Sequence, residues 1–123
     1  MKKIGFIGAY DKTDLIIYIA KILTVLNQKV LVIDATINQK ARYVVPVINP
    51  TTEYVTEYED IDIAVGFQNV EGIKRYIGLS EEQELEYDII LIDTDNYIGF
   101  EGFKLNEAIK NYFVTSFDAF SLK

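Results

Sequence analysis

Two stretches restrict the fold more than any other feature of this chain: "KVLVIDA", residues 29–35, and "YDIILIDTD", residues 87–95. Each is an unbroken apolar run of strand-forming residues that ends in aspartate. A strand with one face in water alternates apolar and polar residues. A run without alternation belongs to a strand covered on both faces, as in a parallel sheet flanked by helices. The aspartates then fall at the carboxyl ends of their strands, the edge where open α/β sheets bind ligands.

The remaining periodicity supplies elements for such a sheet. Residues 2–8 read as another strand. Residues 13–27 read as a helix with Leu15, Ile19, Ile22 and Leu26 on one face, broadened by Ile16, Ala20 and Leu23. "RYVVPVI" (42–48) and "DIDIAVGF" (60–67) are further strand candidates, with Pro46 pushing the first towards a sheet edge or bulge. Residues 71–77 and 103–110 read as short helices, and "NYFVTS" (111–116) as one more strand. Strands alternating with helices predict an α/β fold: a doubly wound, mostly parallel, Rossmann-like sheet with helices on both faces. The 123 residues, 50% of them hydrophobic, suffice for a single domain over 1–123 with one core, and no repeat or linker divides them. Most of the aromatic residues, among them Tyr54, Tyr58, Phe67 and Phe103, are expected to pack in the core rather than to act as binding anchors.

Composition removes several classes of function. There is no cysteine and no histidine, which excludes thiolate nucleophiles, zinc knuckles, disulfides and imidazole-based acid–base chemistry. No apolar run approaches the roughly 20 residues that span a bilayer, and "MKKIGFIGAYDK" breaks too early for a secretory signal, so a cytoplasmic protein without a transmembrane segment is expected. The net charge of −7 is unevenly spread. Residues 1–42 hold seven Lys or Arg against three acids, whereas residues 43–123 hold five against sixteen. Acidic clusters such as "EYEDID" and "SEEQELEYD" read as solvated faces. They would repel a nucleic-acid backbone, so no nucleic-acid partner is expected for this chain.

The first strand runs into "IGAYDKT", residues 7–13, a glycine-containing turn ahead of a helix. Taken with "VLVIDAT", "YDIILIDTD" and "NEAIKNYFVTSFDAFSL" in that order, the turn resembles the start of the ParA/MinD group of P-loop ATPases. That resemblance implies a P-loop NTPase-like fold, ATP and Mg²⁺ as cofactors, an ATP-dependent homodimer and a role in cellular positioning. It also implies that the chain is the N-terminal part of a longer protein or a shortened version. Carried over residue by residue, it makes Gly8, Lys12, Thr13 and Asp34 nucleotide-binding positions, with Thr13 and Asp93 on the magnesium.

Several signature positions differ. Against the deviant Walker A pattern K-G-G-x-G-K-[ST], Gly8, Lys12 and Thr13 agree. Ile7 replaces the lysine that in the family reaches across the dimer, and Ala9 and Asp11 replace glycines. Thr36 stands where the family usually has a second aspartate to orient the attacking water. Asp11 is the most informative change. A carboxylate about 4 Å from a phosphate charge costs roughly 1 kcal/mol in water-like surroundings and about 4 kcal/mol at an effective dielectric near 20. Alternatively, Asp11 caps the helix with Asp14 beside it in the first turn, both facing the positive end of the helix dipole. For Lys12 and Thr13 the structural alternative is an exposed first helical turn, and for Asp93 a polar strand end. Receiver domains also cluster aspartates at strand ends, but they place an acidic pair directly after the first strand, where this chain has "GAYDKT". Two functions follow: a degenerate relative that scaffolds or positions an unidentified protein partner with weak or absent ATP hydrolysis, and an active ATPase whose nucleotide state controls dimerisation and localisation.

Overall fold

The structure, a computed structural model, describes residues 2–37 and 53–114. In chain order the elements are β1 (Lys2–Ile7), α1 (Thr13–Val25), β2 (Val30–Asp34), β3 (Tyr54–Tyr58), β4 (Ile61–Val65), α2 (Val70–Ile77), β5 (Ile89–Thr94), α3 (Tyr97–Gly102), a 3₁₀ turn (Leu105–Glu107) and β6 (Lys110–Phe113). They form one six-stranded sheet in the order β3-β4-β2-β5-β1-β6. Every pairing is parallel except β3 with β4. The α/β class and the mostly parallel, Rossmann-like sheet expected from the sequence are present.

Every residue of β2 and of β5 is buried, as their unbroken apolar runs require. Alternate residues serve opposite faces. Val30, Val32 and Leu91 pack with Ile16, Ile17 and Ala20 of α1 on one side of the sheet. Leu31, Ile33, Ile90 and Ile92 pack with Ile73 of α2, Phe103 and Leu105 on the other. Among the described residues three layers result, with α1 on one face and α2, α3 and the 3₁₀ turn on the second. Tyr54, Phe67 and Phe103 are buried in these clusters and Tyr58 packs against one of them, so they are core residues as expected.

Helix ends follow local chemistry. Asn69 caps α2 by accepting from Gly72 N at 2.9 Å, and Asn96 caps α3 by accepting from Gly99 N at 2.7 Å. Gly78, with φ of 85°, closes α2 in the left-handed conformation that glycine adopts without steric cost.

The sequence expectations need four corrections. First, of the face expected for α1, Ile16 and Ala20 are buried and Ile19 and Leu23 pack against the core, but Ile22 and Leu26 are 45% and 63% exposed and Thr13 and Ile17 complete the buried stripe. The helix is apolar nearly all round, so the spacing fixed the face only roughly and tertiary packing rotated it. Second, the helix expected over 103–110 is only the short 3₁₀ turn. A true helix, α3, precedes it, and Lys110 already belongs to β6. Third, β3 was hidden inside an acidic stretch. It pairs antiparallel with β4 through a tight turn in which Glu59 and Asp60 have φ of 49° and 67°. That conformation suits a two-residue hairpin turn, but it is usually announced by Asn-Gly or Asp-Gly. Fourth, α1 ends at Val25 rather than at residue 27, where Asn27 turns out of the helix with φ of 65°. The candidate strand at 42–48 lies outside the described residues.

The corrected helix face has a measurable consequence. Ile16→Ala should cost about 2–5 kcal/mol of unfolding free energy, as large-to-small changes in a packed core do. Ile22→Ala should cost less than about 1 kcal/mol. Urea denaturation of both variants checks the assignment, and equal losses would contradict the exposure of Ile22.

Candidate functional site

Gly8, Lys12, Thr13, Asp34 and Asp93 gather at the carboxyl edge of the sheet. The register does this directly. Ile7 pairs with Thr94, and Asp34 pairs with Asp93, so the ends of β1, β5 and β2 lie side by side. Backbone bonds extend the alignment one residue further: Gly8 N donates to Thr94 O at 3.1 Å, and Ala35 N donates to Asp93 O at 2.8 Å. Gly8 tolerates no side chain, because a Cβ there would lie 2.1 Å from the carbonyl oxygen of Val114. The glycine is therefore required by the approach of the chain leaving β6, whatever else the turn does.

Lys12 is the centre of the arrangement. It is the residue at which α1 begins, and its side chain is turned inward, leaving the residue 1% exposed. The exposed first turn considered from sequence is absent. The ammonium donates to Gly8 O at 2.7 Å and Tyr10 O at 3.4 Å and stands 2.7 Å from Asp93 Oδ1. The contact with Asp93 is an ion pair outside hydrogen-bonding geometry, so Oδ1 has no hydrogen bond of its own. Burial, helped by the neighbouring charges of Asp34 and Asp95 and opposed by Lys12, raises the Asp93 carboxyl to about 6.

The aspartates around this pair are held by short-range bonds. Asp11 Oδ1 accepts from Thr13 N at 3.1 Å. Asp11 thus satisfies an amide of the first turn of α1, but from one position before the N-cap, which is Lys12. Asp14 lies in the same turn. Asp34 Oδ1 accepts from Thr36 N at 3.0 Å and from the Thr36 hydroxyl at 2.5 Å. Thr36, which stands where a water-orienting aspartate was sought, is instead folded back on Asp34.

Between these groups lies a cavity of about 240 Å³ lined by Ala9, Tyr10, Asp11, Thr13, Thr36, Asp93 and Asp95. Three of these are acids and none is a base. Lys12, whose ammonium stands beside Asp93, does not itself line the cavity, and its charge is met by Asp93. Asp95 and Asn96 are participants that sequence reasoning left without a role. Asp95 Oδ1 accepts from Ile37 N at 3.1 Å and from Asn96 Nδ2 at 2.9 Å, and Asn96 Nδ2 also donates to Ala35 O at 3.0 Å. The Asn96-x-x-Gly99 spacing, typical of a helix start, was the available signal.

Two measurements test the ion pair. Because the folded pKa of Asp93 is raised from 3.8 to about 6, the native protein holds a proton in this interval that the unfolded chain has released. Its contribution to stability is complete below about pH 4 and is lost as pH rises through about 6. Denaturant midpoints without divalent cations should fall across that window, and Asp93→Asn should flatten the slope. Lys12→Met strands a buried carboxylate and should cost about 3–5 kcal/mol, with partial recovery in Lys12→Met/Asp93→Asn. A single variant as stable as the parent at pH 7 would contradict the pairing.

No protein-family model, curated protein or solved structure matches this chain.

Proposed function

We propose that this chain is a degenerate ParA/MinD-like protein that acts in the cytoplasm as a scaffold or positioning factor through protein contacts, with weak or absent ATP hydrolysis. The observation that carries this reading is the inversion of charge at the carboxyl edge. A triphosphate needs free cations and backbone amides around it. Here the cavity is lined by Asp11, Asp93 and Asp95, and the lysine is spent on a buried pair. The side chain of Thr36, folded onto Asp34, leaves no second aspartate to orient a water. Exposed apolar side chains along the outer side of α1 support a role in protein contact: Tyr18, Val25 and Leu26 are 64%, 80% and 63% exposed.

The second reading, an ATP-binding member whose nucleotide state controls homodimerisation, is favoured by one observation. Gly8, Lys12, Thr13, Asp34 and Asp93 share one sheet edge, as a working site would need. Rotation of Lys12 away from Asp93 would deliver an ammonium to a phosphate and free Asp93 and Thr13 for magnesium. It would also break a buried ion pair, a cost that the nucleotide must offset. Among the described residues no helix is long and apolar enough to cross a membrane.

Calorimetric titration with Mg-ATP separates the two. No saturable binding is expected at micromolar nucleotide, and no phosphate release above background. Asp11→Gly should lose a few tenths of a kcal/mol with the bond to Thr13 N and gain at most weak ATP affinity, because Ile7 and Ala9 remain. Micromolar binding by the parent would establish the second reading. The same affinity appearing only in Asp11→Gly would mean that one carboxylate had silenced an intact phosphate site.

A further inference from the structure

The carboxyl edge holds more apolar surface than the ion pair explains. Tyr10, Ile37, Tyr97 and Ile98 are 53%, 75%, 71% and 70% exposed. Tyr10 lines the acidic cavity, and Ile37 and Ile98 line an adjoining cavity of about 220 Å³ that shares Thr36 with it and includes Phe67 and Gly99, the two together forming one groove. Large apolar side chains clustered beside a groove mark a contact surface. This groove is polarised. One end presents Asp11, Asp93 and Asp95, the other Phe67, Ile37 and Ile98 beside Asp34, and among the described residues neither cavity has a basic residue in its lining.

Charge decides what fits. A second copy docked symmetrically by this face would bring only the same described lining residues to the acidic end, and these include no base to pair with Asp11 or Asp95. A phosphorylated or acidic ligand meets repulsion from the same carboxylates. We propose that the groove receives an extended segment of a partner protein that places a Lys or Arg side chain in the acidic end and an aliphatic or aromatic side chain at the Phe67–Ile98 end. This rests on the scaffold reading, since nucleotide in the same cavity would exclude the segment. The alkyl stem of the basic residue lies along the Tyr10 ring, and its charged head meets Asp11 and Asp95. Both carboxylates are already oriented, Asp11 by Thr13 N and Asp95 by Ile37 N and Asn96 Nδ2, so little ordering remains to be done on binding.

The test is selection of short random peptides on the full chain, followed by fluorescence polarisation of those recovered. The expected peptides carry Lys or Arg near an apolar residue, and replacing that basic residue with Glu abolishes binding. The Asp11→Asn/Asp95→Asn variant keeps both Oδ1 acceptors while removing two charges. It should weaken binding about tenfold and reduce its dependence on salt. Ile98→Ser should weaken it without changing the salt dependence, and thermal melts confirm that each variant is folded. Recovered peptides without basic residues, binding unchanged in both variants, or self-association abolished by these substitutions in place of peptide binding would each overturn the proposal. Mg-ATP that binds and displaces the peptides would instead overturn the scaffold reading. Absence of both ATP and peptide binding would sink this inference alone.

Discussion

A lysine ammonium and an aspartate carboxylate, both out of water, join the start of α1 to the end of β5. Everything at the carboxyl edge is arranged around that contact. Lys12 fixes the turn after β1 by holding the carbonyls of Gly8 and Tyr10, and Asp93 fixes its depth by drawing the ammonium to the central strand. Two buried charges at this separation are costly singly and tolerable only together. The turn therefore has one well-determined conformation, and the surrounding acids are presented to the cavity instead of being neutralised by the lysine.

This arrangement separates two properties that a phosphate loop combines. The glycine and lysine spacing serves backbone packing and an internal ion pair, with Gly8 in contact with the residue after β6 and Lys12 in contact with β5. Among the described residues the cavity lining carries three carboxylates and no cation. A glycine and a lysine at this spacing can thus be required by packing and an internal ion pair alone.

How much of this was legible in the sequence depended on the kind of signal. The runs in β2 and β5 were unambiguous because burial on both faces leaves no polar position, and the convergence of Gly8, Asp34 and Asp93 on one edge followed from parallel pairing. The buried face of α1 was readable only in part: Ile16 and Ala20 were placed inward, but a helix apolar on several sides has no sharp phase until its neighbours are known, so Ile22 and Leu26 were misplaced. Strand β3 was masked by the acids of its outward face and by a Glu-Asp turn that lacks the usual glycine. The inward turn of Lys12 was invisible for another reason. A lysine at the start of a helix is usually solvated, and only the distance to Asp93 reveals that this one is not.

The position of β1 has a consequence for how the chain comes to be folded. Residues 2–7 precede the rest of the sheet in the chain, yet their strand partners among the described residues are 89–94 and 110–113. During synthesis β1 must wait, with its apolar side chains unpaired, until β5 and β6 have left the ribosome. Insertion of an early strand between two late ones closes large loops and makes that step of assembly non-local and slow. In that interval the nascent chain carries an exposed apolar strand, a natural target for chaperones and a point of vulnerability to aggregation.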